Sequence, residues 1–244
     1  MQNLIQSPGQ ENSSGRCENC GYGLRHKDET GPRKWCKRCI DVFRRKQNLK
    51  PEKAEKIIFE AVGARYVDAT LESIDSGIAD KLLGLESGQD VFIFGPVGVG
   101  KTYAMAALIR HYVYEGFECK RINFDDFCVQ VRSTMGPASK QTEYELIEPL
   151  KQVDKLFIDD LGLRSKQETD FAYITLFSIL NKRQERLLPT LIATNKSVEQ
   201  LGQSFDARIA SRLQTALVIE MTGEDRRPAE NLFRNSFDSC QHKG

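Results

Sequence analysis

Asp90-Val91-Phe92-Ile93-Phe94 followed by Gly95-Pro96-Val97-Gly98-Val99-Gly100-Lys101-Thr102 is the stretch of this 244-residue chain that decides its reading. Four apolar residues make a buried strand, and the next eight fit G-x-x-x-x-G-K-[ST], leading into a helical stretch from Tyr103 to Gly116. Glycines recur there because the backbone has to curl until several N–H groups point at phosphate oxygens, with a helix N-terminus behind them. Residues 95–102 are therefore expected to cradle a nucleotide's phosphates, with Lys101 neutralising the β- and γ-phosphates and the Thr102 hydroxyl holding Mg2+. A bare glycine-rich turn would not need a strand before it and a helix after it in these places.

A phosphate loop needs an acidic partner on a neighbouring strand, and Lys155-Leu156-Phe157-Ile158-Asp159-Asp160 supplies one. The carboxylates emerge at the strand's C-terminal end, where ligands sit in such sheets. Asp159 is expected to hold Mg2+, and Asp160 to orient or deprotonate an attacking water. Thr190-Leu191-Ile192-Ala193-Thr194-Asn195 is another buried strand with a polar end, and an amide there can touch both the γ-phosphate and the water. Asn195-Lys196-Ser197-Val198 has the outline of a guanine-binding N-K-x-D, but Val198 stands where the aspartate belongs, which argues against guanine. Arg208 and Arg212, four apart, share a helical face that is either solvated or aimed at the nucleotide of an adjacent subunit.

Strand signals at 90–94, 119–124, 155–159, 188–194 and 216–221, each separated by a helical stretch, predict an α/β fold with a largely parallel sheet. Residues 51–63, with Pro51 at a first helical position and Gly63 at the end, predict a linking helix. The predicted organisation is a disordered tail over 1–15, a metal-binding module over 16–50, a helical linker over 51–68 and an ATPase domain over 69–244.

Net charge is +1, but residues 16–56 hold 13 Lys/Arg against 6 Asp/Glu while residues 57–244 hold 22 against 27. No stretch is apolar enough to span a membrane and no signal-peptide pattern opens the chain, so a cytoplasmic location without membrane contact is expected. Of seven cysteines, Cys17, Cys20, Cys36 and Cys39 form two CxxC knuckles separated by 15 residues, the spacing of a zinc ribbon with four cysteine ligands in a tetrahedron. An iron–sulfur cluster or a redox pair would use the same pattern, and His26 stands by as a loop histidine. Cys119 and Cys128 read as small apolar residues, and Trp35 as packing on the metal-folded core. The run Arg33, Lys34, Lys37, Arg38, Arg44, Arg45 and Lys46 reads equally as a solvated face or as a surface for DNA or an acidic protein partner.

Taken in order, Gly95–Thr102, Leu156-Phe157-Ile158-Asp159-Asp160-Leu161-Gly162, Leu191–Asn195 and Arg208-Ile209-Ala210-Ser211-Arg212-Leu213 resemble the AAA+ ATPases. The segment Arg65–Leu71 and the Ile158–Gly162 form of the acidic motif resemble the helicase-loader branch typified by DnaC and DnaI, which includes the transposition helper IstB. That resemblance implies strand order 5-1-4-3-2, ATP as substrate, Arg212 as an arginine finger with Arg208 beside it, and self-association through the ATPase interface. It further implies a replicative hexameric helicase and single-stranded DNA as partners, with the N-terminal module gripping the helicase. The stretch from Asn123 to Ser133 is a candidate for the single-strand contact. Asp160 stands where many AAA+ ATPases have glutamate, which implies slow turnover, and only 32 residues follow Arg212, which implies little or no helical lid. An IstB-like helper on duplex DNA and a small-molecule kinase are the alternatives.

Overall fold

The computed structural model describes residues 17, 19–20, 35–85, 88–134, 136, 141–162, 169–204, 211 and 215–226. The tail at 1–15, His26, Arg33, Lys34, Arg208, Arg212, Cys240 and the place of any lid lie outside them.

Helices α1 (Lys37–Asn48) and α2 (Pro51–Val62) come first, then two short 3-10 turns, Ala64–Tyr66 and Leu71–Ser73, and α3 (Ser76–Leu83). The nucleotide-type core follows as β1 (Val91–Phe94), α4 (Lys101–Tyr114), β2 (Cys119–Asn123), α5 (Phe124–Ser133), α6 (Glu143–Gln152), β3 (Lys155–Asp159), α7 (Thr169–Glu185), β4 (Thr190–Thr194), α8 (Val198–Ser204) and β5 (Leu217–Glu220). The strands are all parallel, in the order β2-β3-β4-β1-β5. This is the 5-1-4-3-2 order expected from the resemblance.

Strand residues alternate between two helical layers, because successive side chains leave opposite faces of a sheet. Val91, Ile93, Phe157, Leu191, Ala193 and Ile219 pack with α2 and α4. Phe92, Leu156, Ile158 and Ile192 pack with α5, α6 and α7. Both faces being covered explains why these strands read as continuous apolar runs rather than as alternating ones. The helix with Pro51 at its first position and Gly63 after its end is α2, as predicted. It is fastened to α4 by Arg110, whose two amino groups reach the Glu55 carboxylate at 2.5 and 3.0 Å.

Two differences from the sequence reading have physical causes. β4 begins at Thr190 rather than at 188, since Pro189 has no N–H for the ladder; its carbonyl accepts from Arg183 at 2.7 Å and from Leu156 N–H at 3.5 Å. Helix α1 was not anticipated: the second knuckle runs straight into it, with Cys36 as its N-cap. It lies against the turn after α4, where a Cβ on Gly116 would come within 2.6 Å of the Val42 carbonyl oxygen. Arg45 donates to the Gly116 carbonyl at 2.8 Å and pairs with Asp154, and Lys46 pairs with Glu115 at 2.7 Å. Part of the basic run is thus spent holding α1 to the core, leaving Lys37 and Arg44 exposed among its described members.

Candidate functional site

The loop from Gly95 to Gly100 bends through three positive φ angles, +150° at Gly95, +84° at Gly98 and +101° at Gly100. Glycine is required at Gly95 for space as well, because a Cβ there would lie 1.9 Å from the Met221 carbonyl oxygen. The segment after β5 buttresses the loop: Arg226 N–H donates to the Gly98 carbonyl at 3.0 Å and the Asp225 carboxylate lies against Gly98. Lys101, almost fully buried, turns its ammonium back onto the carbonyls of Gly95 and Pro96 at 2.9 and 2.7 Å. Those contacts hold a cation at the mouth of the loop, where it can turn to an incoming phosphate.

The structure brings together Lys101, Thr102, Asp159, Asp160 and Asn195. Thr102 Oγ1 donates to Asp159 Oδ1 at 3.2 Å, and Asp160 N–H donates to the same oxygen at 3.1 Å. Asp159 is buried, and its Oδ2 accepts from Arg121 Nη2 at 2.5 Å. A hydroxyl beside a buried carboxylate at the foot of a phosphate loop is a donor set of hard oxygens, which suits Mg2+. Asp160 takes the left-handed conformation, φ +54°, which turns it out of the strand toward the cavity. Burial and the Asp159 carboxylate raise its pKa above the ordinary aspartate value, opposed by Lys101 and Arg121. Asn123 Nδ2 approaches Asp160 Oδ2 at 3.4 Å from the end of β2.

A cavity of about 640 Å3 runs from Arg65, Tyr66 and Ile74, past residues 97–103, to Asp160, Asn195 and Arg226. Its volume is in the range of small-ligand sites. A second cavity, also about 640 Å3, shares Asp160 and Asn195 and opens toward Asp125, Asp126 and Lys196. A larger one of about 1130 Å3, between α1, α2 and α6, lies away from the phosphate loop and the paired carboxylates.

Arg121, Asn123 as a neighbour of Asp160, and Arg226 were not singled out by the sequence reading. For the first two a signal existed. In the parallel register Asn123 lies beside Asp159 and Arg121 beside Phe157, so alternation puts both on the Asp159 face once β2 and β3 are taken as neighbours. Arg226 had none, since it follows the last strand without a motif. The expected single-strand stretch is changed: Phe124 and Phe127 are buried in the core and Asn123 caps α5, so no described aromatic of that helix is free to stack on bases.

Sγ atoms of Cys17, Cys20, Cys36 and Cys39 all lie within 4.8 Å of one another. The separations Cys17–Cys39 and Cys20–Cys36 are 3.8 and 3.7 Å. Thiolates bonded to zinc at about 2.3 Å in a tetrahedron sit about 3.8 Å apart, so the four sulfurs fit a zinc shell. Trp35 packs edge-on against Phe43 beside them, with ring centroids 5.9 Å apart.

The bacterial DnaA ATPase domain matches residues 77–220, more than half of the chain. The chain belongs to that family. It is 28% identical over 151 residues to the chromosomal replication initiator protein DnaA of Limosilactobacillus reuteri, covering 61% of this chain and 33% of that one. It is 27% identical over 124 residues to the replicative helicase loader DnaC of Escherichia coli K12, covering 50% of this chain and 49% of that one. A structure of replication initiator DnaA bound to AMPPCP and single-stranded DNA superposes with a TM-score of 0.56 at 23% identity, covering 67% of this chain and 51% of that one. The chain thus spans half or less of the length of these curated relatives. The fold is that of the AAA+ ATPases, and the resemblance to DnaC/DnaI-type proteins stands. Among the described residues no helix is long and apolar enough to cross a membrane.

Proposed function

We propose that this ATPase is a loader that engages a replicative hexameric helicase and delivers it to single-stranded DNA. The observation that carries the reading is the convergence of the phosphate loop, Asp160 and Asn195 on one cavity, with Asp159 buried behind it against Thr102, in a chain similar to the loader DnaC. Lys101 and the loop N–H groups bind the β- and γ-phosphates, and Asn195 sits at the cavity end where a terminal phosphate would lie. Thr102 and Asp159 would hold Mg2+, which neutralises charge on the phosphoryl oxygens. Asp160, its carboxylate made more basic by burial and by Asp159, accepts a proton from the attacking water. Its side chain is one methylene shorter than glutamate, and turnover is slow, as suits a switch. Arg212, with Arg208 beside it, reaches the γ-phosphate of an adjacent subunit, so that ATP couples assembly to the state of the site.

Cys17, Cys20, Cys36 and Cys39 hold one Zn2+ and fold the N-terminal module, which contacts the helicase. The similarity to a DnaA solved with single-stranded DNA supports a single-stranded partner. The test is helicase transfer: the purified chain, a replicative helicase and circular single-stranded DNA are mixed with ATP, and helicase bound to the circle is quantified. ATP-dependent transfer that Lys101→Ala abolishes is expected. Binding to duplex without helicase transfer would point instead to an IstB-like helper.

A further inference from the structure

Asp159 is the carboxylate placed to hold the metal, yet one of its oxygens is already engaged by a cation from the protein. Arg121 reaches it from β2, the edge strand, with Nη2 2.5 Å from Oδ2. Asp159 is the guanidinium's only hydrogen-bond partner among the described residues, and the buried Nε of Arg121 has none among them. A structural arginine in this protein looks different: Arg183 spends its guanidinium on four acceptors. Arg121 is about one-fifth exposed, tied at one point, and set beside the carboxylate the ion needs.

We propose that Arg121 is a positioning residue that stands in for the metal's charge while the site is empty, and so sets the Mg2+ concentration at which nucleotide binds. The inference rests on the ATP–Mg2+ reading of the cavity. Without Arg121, buried Asp159 and its neighbour Asp160 would face each other as two anions with Lys101, turned onto the loop carbonyls, left to offset Asp160, a costly state before ligand arrives. With Arg121 in place, an arriving Mg2+ meets a carboxylate already neutralised and a like charge a few ångströms away. Metal and nucleotide must then come together, since the phosphates supply the extra negative charge that outweighs the arginine. Free Mg2+ alone is kept out.

The experiment compares wild type, Arg121→Gln and Arg121→Lys by two readouts. Binding of a fluorescent ATP analogue is titrated with Mg2+, and thermal unfolding without nucleotide is followed from zero to millimolar Mg2+. Arg121→Gln is expected to lower the half-saturating Mg2+ concentration on the order of tenfold, the consequence of removing one like charge close to the ion in a half-shielded site. Without nucleotide this variant should melt lower than wild type and recover with Mg2+ alone, while wild type and Arg121→Lys show little response. An unchanged or higher Mg2+ requirement in Arg121→Gln overturns the proposal. If that variant binds no analogue, its melting decides: no recovery with Mg2+ alone also overturns it. The wild-type titration judges the nucleotide reading separately, since failure there would appear without any substitution.

Discussion

Asp160 has an uncomfortable position in the folded chain: left-handed backbone, partial burial and Asp159 next door. Folding raises its pKa, so the folded state holds the proton more tightly and loses stability as pH rises through the carboxylate range. At neutral pH its ionised form therefore works against folding. Asp160→Asn is predicted to unfold at a higher temperature than wild type at pH 7 and to hydrolyse ATP about 10² times more slowly, since asparagine tolerates the same backbone but accepts no proton. Melting curves and phosphate release measure the two effects. His111 has the opposite sign. Burial holds its imidazole below the ordinary value of 6.5, and its buried Nε2 has no hydrogen-bond partner among the described residues. The unfolded chain takes up a proton first as pH falls, so stability present above the ordinary histidine range is lost below it. His111→Phe should flatten the dependence of the melting temperature between pH 7 and pH 5.

Arg183 marks where residue-level reading stops. Asn181-Lys182-Arg183-Gln184-Glu185-Arg186 looks like a solvated charge run, yet Arg183 is fully buried. Carbonyls of Leu150, Val153 and Pro189 converge where α6 ends and β4 begins, and the guanidinium satisfies them at 2.7–2.8 Å. No local pattern announces this, because two of the acceptors lie some 30 residues upstream. Arg183→Met is predicted to cost about 3 kcal/mol in urea unfolding, since it strands buried carbonyls.

At the scale of elements, β1, β3, β4, β5 and the helix α2 were legible because apolar runs, Pro51 and Gly63 are local signals, while β2, with Lys120, Arg121 and Asn123 in it, showed mainly through its place between two helical stretches. The phosphate loop was legible as a motif, and the acidic pair by its place at a strand end. Helix α1 was not: a segment short of aliphatic residues gives no periodicity to read, and its burial comes from the thiol cluster at one end and the Gly116 turn along its side. The same geometry makes α1 sensitive to metal. One zinc per chain is expected by elemental analysis, and chelation or Cys20→Ser should reduce helical signal and lower the melting temperature. Arg45→Ala should cost about 1–2 kcal/mol, because it leaves the nearly buried Asp154 without its cation while water screens part of the loss.

Across the whole molecule, the cysteine cluster reaches the core through α1, which lies against the turn after α4. The positive charge concentrated near the N-terminus is partly neutralised by Glu115, Glu118 and Asp154 of the ATPase core. Module and core are therefore expected to respond together, with zinc loss weakening helicase engagement even when the phosphate loop is intact. Assembly of several copies is implied only by the resemblance, since two arginines four residues apart say nothing by themselves about a second subunit.

The decisive experiment is ATP hydrolysis by the purified chain, alone and with single-stranded or duplex DNA, beside Lys101→Ala and Arg212→Ala. Slow basal turnover, stimulation by single strands, and loss of both in either variant are expected. Stimulation by duplex alone, or full turnover in Arg212→Ala, would contradict a loader whose site is completed by its neighbour.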